Sequence, residues 1–256
     1  MKNGSRDNLV WRMAIAAMFI ALTFGATFIA IPFGTSKVHL GNLACVLAGM
    51  LCGPLVGGIA GSVGMGLNDL FFYGPDTFIR TFIVKFILGF AAGLFFRLAF
   101  KKPKGFQYSL LGLSLLFFAL FGVSLWMYLS LGPIEVGDRK VVVPLSLTIA
   151  SPILAALLLT GFFLSRFRFS GDARAALTSG SIAMLINVVA EFALKIPLKM
   201  LFAELTFEGA VAYAVASLPS ALVTASVTIV IAAVLLPPLK IATDRVNPFA
   251  VSEAEA

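Results

Sequence analysis

Apolar residues fall in long runs along this chain, and polar residues gather in the short gaps between them. The runs cover about 10–32, 40–52, 54–72, 78–99, 107–131, 143–165, 176–198 and 211–236. A helix of about 20 apolar residues crosses roughly 30 Å of hydrocarbon. Seven runs are long enough. The second is short and ends at Gly53-Pro54, where proline cannot continue a helix. The pattern predicts an all-α polytopic membrane protein with about eight transmembrane helices. The run from Met13 to Ile31 is longer than the apolar core of a cleaved signal peptide, about 7–15 residues. It reads as a retained first helix.

Composition agrees with this pattern. Of the 256 residues, 60% are hydrophobic and 12% are charged, and the mean hydropathy is +1.01. A soluble domain is nearer 45–50% apolar and about 25% charged. The gaps are too short for a separate soluble domain, so 1–256 reads as a single membrane domain. Cys45 and Cys52 lie in one apolar segment and are expected to be buried thiols. With no CxxC and the single His39, no metal site is expected.

The net charge of +7 sits in loops, which is the signature of membrane orientation rather than of nucleic-acid binding. With eight crossings and an inner N-terminus, the inner ends hold Lys2 to Arg12, Arg97 to Lys104, Arg166 to Arg174, and Lys240 to Arg245. Only Lys37, Arg139, Lys140 and Lys199 fall outside. If the short second run did not cross, the two central basic clusters would move outside. The charge bias therefore favours eight crossings with both termini cytoplasmic. The outer segments are then Phe33–His39, Tyr73–Thr77, Gly132–Val142 and Phe202–Gly209, the last carrying Glu204 and Glu208.

Polar residues inside the runs mark candidate chemistry. The third run, "GPLVGGIAGSVGMGLNDL", spaces Gly53, Gly57 and Gly61 by four, and likewise Gly58, Ser62 and Gly66. Such rows let helix backbones approach closely. Asn68 and Asp69 close the run near the outer interface. Ala17, Ala21 and Gly25 form a similar row on the first helix. The fourth run carries Arg80 near its outer end and Lys85 deeper. A charge there costs about 2.5–3.5 kcal/mol on insertion scales, so it must pair, line water or bind something. The seventh run places Asn187, Glu191 and Lys195 on one helix face. Glu191 can pair with Lys195 or with Lys85, or the group can serve a ligand or ion pathway. Phe33, Tyr73 and Phe78, near Asn42, Asn68 and Arg80, suit a planar, partly polar ligand.

No HExxH, GxSxG or P-loop is present, so no enzymatic activity is expected. Any ATP-driven step must use another subunit.

Two longer stretches carry a family resemblance. "KVHLGNLACVLAGMLCGPLVGGIAGSVGMGLNDLF" and "DTFIRTFIVKFILGFAAGLFFR" resemble the substrate-binding S component of energy-coupling-factor (ECF) vitamin transporters, nearest the riboflavin-type branch. "AEFALK" and "ASLPSALV" resemble its last two helices. The resemblance assigns 10–100 and 174–240 to S-component-like helices. It leaves 107–165 as an inserted hairpin, since the family usually has six helices. Ser220 stands after Pro219, where the family pattern often has Asn. The resemblance implies capture of a vitamin or related small molecule from outside. Asn42, Asn68, Asp69, Tyr73, Arg80, Lys85, Asn187, Glu191 and Lys195 would form the site. It also implies docking through Ala17, Ala21 and Gly25 on a transmembrane coupling subunit, driven by two cytoplasmic ATPases, in the inner (cytoplasmic) membrane. Lipid is the surrounding medium, and no cofactor, metal or nucleic acid is implied. Other readings are a non-transport membrane scaffold of related fold and a lone ion-coupled carrier.

Overall fold

The computed structural model describes residues 3–33, 36–101, 103–131, 134–136, 139–141, 143–167 and 171–243. Lys2, Lys102, Arg168 and Arg245 lie outside them, as do the side chains of Phe33 and Glu208. The chain runs α1 (Asn3–Ala26), β1 (Ala30–Phe33), β2 (Ser36–His39), α2 (Gly41–Cys52), α3 (Pro54–Phe72) and α4 (Pro75–Lys101). It continues with α5 (Pro103–Leu131), β3 (Ile134–Val136), β4 (Arg139–Val141), α6 (Val143–Phe167), α7 (Gly171–Phe202), α8 (Phe207–Ala216) and α9 (Leu218–Thr243). This is an all-α membrane protein with two small hairpins among the described residues. Among the described residues, five helical stretches are long and apolar enough to cross a membrane. Met13–Ala26, Gly41–Cys52 and Ser151–Phe163 are shorter apolar helices.

Glycine sets how α2, α3 and α4 pack. Gly53 ends α2 with φ +94°, a left-handed conformation that other residues adopt only at a cost, and Pro54 opens α3. The chain thereby folds back sharply enough for backbone to meet backbone. A methyl group on Gly89 would run into the carbonyl of Gly57, and one on Gly49 would strike the carbonyl of Gly89. A methyl on Gly61 would overlap the Cys45 sulfur. The four-residue glycine rows are thus the packing seam of α3. Cys45 and Cys52 are free and buried.

Elsewhere α1 packs on α3, α4 on α7, and α7 on α9. Helices α5 and α6 form a pair that leans on α7 and α9. At the end of the bundle away from the cavity described below, Lys240 pairs with Asp172 at 2.8 Å and ties α9 to α7.

Two boundaries differ from the hydropathy reading. The first apolar run is helical only to Ala26. Ala30–Phe33 instead pairs antiparallel with Ser36–His39, setting Pro32 opposite Lys37. The last run is not one helix but two. Helix α8 stops at Ala216, and Pro219, which has no N–H to give, is the second residue of α9.

Candidate functional site

One end of the bundle encloses a cavity of about 390 Å³. Its wall is assembled from the end of α3, the first turns of α4, the second half of α7 and the start of α9. Hairpin β1–β2 and the entry to α2 close another side. Lys85 lies ten residues into α4, about 15 Å along the helix at 1.5 Å per residue.

Glu191 is the centre of the charge arrangement. One carboxylate oxygen lies 3.6 Å from the Lys85 ammonium and the other 3.6 Å from the Lys195 ammonium. The two pairings open from sequence are therefore both made. Lys85 also donates to the Asn187 side-chain oxygen at 3.0 Å. Lys195 donates to the Ser217 hydroxyl at 2.6 Å. Ser217 in turn donates to the Ala214 carbonyl at 2.7 Å, at the break between α8 and α9. Both lysines are buried, whereas the Glu191 side chain keeps 22% of its surface, so the carboxylate faces the cavity.

Nearer the mouth, Lys37 donates to the Tyr73 hydroxyl at 3.0 Å and lies over its ring, 4.1 Å from the centroid. That is cation–π geometry. Lys199 pairs with Asp76 at 3.0 Å. Thr81 donates to Asp69. His39 accepts from the backbone N–H of Gly41 through Nδ1 at 3.2 Å, which puts the proton of the neutral ring on Nε2. Burial, then the nearby Lys85 and Lys37 charges, push the His39 pKa down to about 3. The ring is neutral at physiological pH.

Among the residues singled out from sequence, Asn42, Asp69, Tyr73, Arg80, Lys85, Asn187 and Glu191 line this cavity. Asn68 and Lys195 do not. Asn68 is buried within α3, and Lys195 reaches the cavity only through Glu191. Sequence reasoning missed Lys37, His39, Thr77, Thr81, Lys199 and Thr224, all on the wall. A signal for most of them was available. Thr77, Thr81 and Lys85 recur every four residues on α4, as Ser220 and Thr224 do on α9. Lys199 continues the row of Asn187, Glu191 and Lys195 by one more turn.

Ala17, Ala21 and Gly25 are exposed on α1. The opposite side of that helix packs on α3, where a methyl on Gly64 would meet the Ile20 carbonyl at 2.7 Å. A second cavity, of about 260 Å³, lies between α5, α6, α7 and α9. Its wall is almost wholly apolar, with Leu113, Phe117 and Leu158 prominent.

The family described as ECF-type riboflavin transporter, S component, matches residues 8–136. That match runs from α1 to β3, the first strand of the second small hairpin, and takes in the α3 and α4 walls of the cavity. An uncharacterized protein in the gap 3′ region of Pyrococcus woesei is 36% identical over 77 residues, 29% of this chain and 51% of that protein. The match thus spans about half the length of that curated relative. No solved structure matches the chain.

Proposed function

The chain belongs to the S-component family of ECF-type riboflavin transporters, and from that premise we propose how this multi-pass membrane protein works. Its family is one of transporter subunits, not of enzymes. As a substrate-binding membrane subunit, it captures a vitamin or related small molecule from outside. It then delivers that ligand inward through a transmembrane coupling subunit powered by two cytoplasmic ATPases. The sequence has no P-loop, so ATP hydrolysis falls to those partners. The chain forms one membrane domain with eight crossings and both termini in the cytoplasm, and it resides in the inner membrane. The topology rests on the loop charges. Residues 107–165, the first part of which the family match also covers, form a further helical hairpin beside the helices that line the cavity.

One observation carries the reading. Ionisable and amide groups from separate helices converge on a single cavity at one end of an otherwise apolar bundle. Asp69, Arg80, Lys85, Asn187 and Glu191 lie on three different helices yet share its wall. Polar groups inside a membrane protein are retained where they line a substrate path or pair with one another. Here they do both. Under the proposed topology the cavity opens outward, and Asn42 and Tyr73 complete the binding set. Asn68 and Lys195 support it from behind. Ala17, Ala21 and Gly25 form the face that meets the coupling subunit.

Native mass spectrometry of the purified protein tests this reading. A small molecule of defined mass, retained in gentle ionisation and lost on unfolding, is expected. Protein that retains no ligand and binds none of a panel of vitamins and nucleobase derivatives would count against it. It would favour a non-transport scaffold, in which the Lys85–Glu191–Lys195 cluster only holds helices together.

A further inference from the structure

The charge balance of the cavity points to the kind of ligand it takes. Lys37, Arg80, Lys85 and Lys199 line the wall, and Lys195 stands just behind Glu191. Against these five cations stand three carboxylates, Asp69, Asp76 and Glu191. Lys199 is matched by Asp76. Lys85 and Lys195 must share Glu191, each at 3.6 Å. Asp69 accepts from the neutral Thr81 hydroxyl, and its charge faces both Arg80 and Lys37. Among the described residues Arg80 makes no hydrogen bond or ion pair and the Lys37 ammonium hydrogen-bonds to the Tyr73 hydroxyl alone, so these two cations share the single charge of Asp69. An excess of two positive charges beside a membrane interior is costly unless something negative joins it.

A second, independent feature points into the same space. Asn42 is 3% exposed, sits on the cavity wall, and its side-chain oxygen has no hydrogen-bond partner among the described residues. A buried amide oxygen left without a donor is uncommon in folded proteins and is satisfied when a donor arrives.

We propose that the ligand carries an anionic oxygen group, a carboxylate or a phosphate, held by Arg80 together with Lys37, and a hydrogen-bond donor that reaches Asn42. This rests on the cavity being the substrate site. Arginine suits the task because its planar fork meets two oxygens of a carboxylate or phosphate at once. Lys37, already braced on Tyr73, adds a second charge at the mouth.

The test uses the full-length protein in detergent and ligands in matched pairs. Riboflavin 5′-phosphate is set against riboflavin, and nicotinic acid against nicotinamide. The first pair reports on phosphate and the second on carboxylate. In at least one pair the anionic member is expected to bind tenfold or more tightly than its neutral partner. That preference weakens as salt is raised from 20 to 300 mM, in the manner of ~10 Å screening at 0.1 M. Arg80→Gln abolishes the preference, while Lys101→Gln at the far end of α4 preserves it. Without ligand, Arg80→Gln leaves the unfolding temperature unchanged or raises it, because it relieves repulsion among the cations. Tighter binding of the neutral members overturns the anion assignment and leaves the transport reading standing. A preference that survives Arg80→Gln overturns it too, as does a marked fall in the unfolding temperature of the ligand-free variant. If none of the four compounds binds and no ligand is retained in native mass spectrometry, both the assignment and the substrate-site reading fall together.

Discussion

Glu191 shows what a single residue decides in an apolar bundle. Its two oxygens divide between Lys85 on α4 and Lys195 on α7, so one negative charge holds two buried positive ones. Breaking a buried pair from one side leaves an uncompensated charge, which costs about 3–5 kcal/mol. Glu191→Gln is therefore expected to destabilise by roughly 3 kcal/mol and to weaken ligand binding. Adding Lys85→Met should recover part of that loss, because one stranded ammonium is removed. Thermal unfolding of the two variants measures both effects, and an additive double variant would deny the coupling. His39 responds to acid instead. Its folded pKa of about 3 lies below the ordinary 6.5, so the neutral form is the native one. Below pH 6.5 the unfolded chain binds a proton that the folded chain refuses, and stability drops as pH falls from about 6.5 towards 3. His39→Gln, whose amide oxygen can still accept from the Gly41 N–H, should lose less stability between pH 7.5 and 5. Unfolding temperatures across that range check the sign. Arg80, Lys85, Glu191 and Lys195 were legible in sequence because a charge in an apolar run is conspicuous. His39 and Lys37 were not, because hairpin residues look like ordinary loop until the hairpin folds over the cavity.

At the level of elements, the glycine rows were the most legible feature and the helix ends the least. Rows spaced by four predicted close helix approach, and the α2–α3–α4 seam is built that way. Gly89→Ala is expected to destabilise by about 3 kcal/mol or more, since two backbones must part to admit a methyl group. Gly122→Ala on α5 meets nothing within 4 Å and should stay within ~1 kcal/mol of the parent, on the stabilising side. Unfolding temperatures in one detergent separate the two, and equal losses would refute the seam. Hydropathy alone misses the ends because it registers apolarity and not hydrogen-bond geometry. Ala30, Ile31 and Pro32 read as more helix, yet they pair as a strand. The α8–α9 break hides in an unbroken apolar run. Only Pro219 signals it, and the Ser217 hydroxyl that Lys195 reaches stands at that break.

Across the whole molecule, the proposed binding cavity and the proposed docking face are separate. The cavity draws on hairpin β1–β2 and on helices from α2 to α9, but no described residue of α5 or α6 lines it. The hairpin α5–α6 instead widens the bundle beside α7 and α9, and its position follows from contacts that no local pattern in the sequence encodes. The exposed row of Ala17, Ala21 and Gly25 lies on the outer side of α1, away from the α3 seam. Small side chains there leave room for another helix to come close, which is how helices associate where lipid removes the apolar drive. Larger residues at those positions should fill that room without touching the fold, since both alanines already face outward. Ala17→Leu combined with Ala21→Leu is therefore expected to leave unfolding temperature and ligand affinity as they are. Co-purification with the coupling subunit should fall by about tenfold, which corresponds to 1.4 kcal/mol of lost packing. Loss of ligand affinity in the same variant would mean that α1 shapes the cavity after all. Undiminished co-purification would move the docking face elsewhere on the bundle.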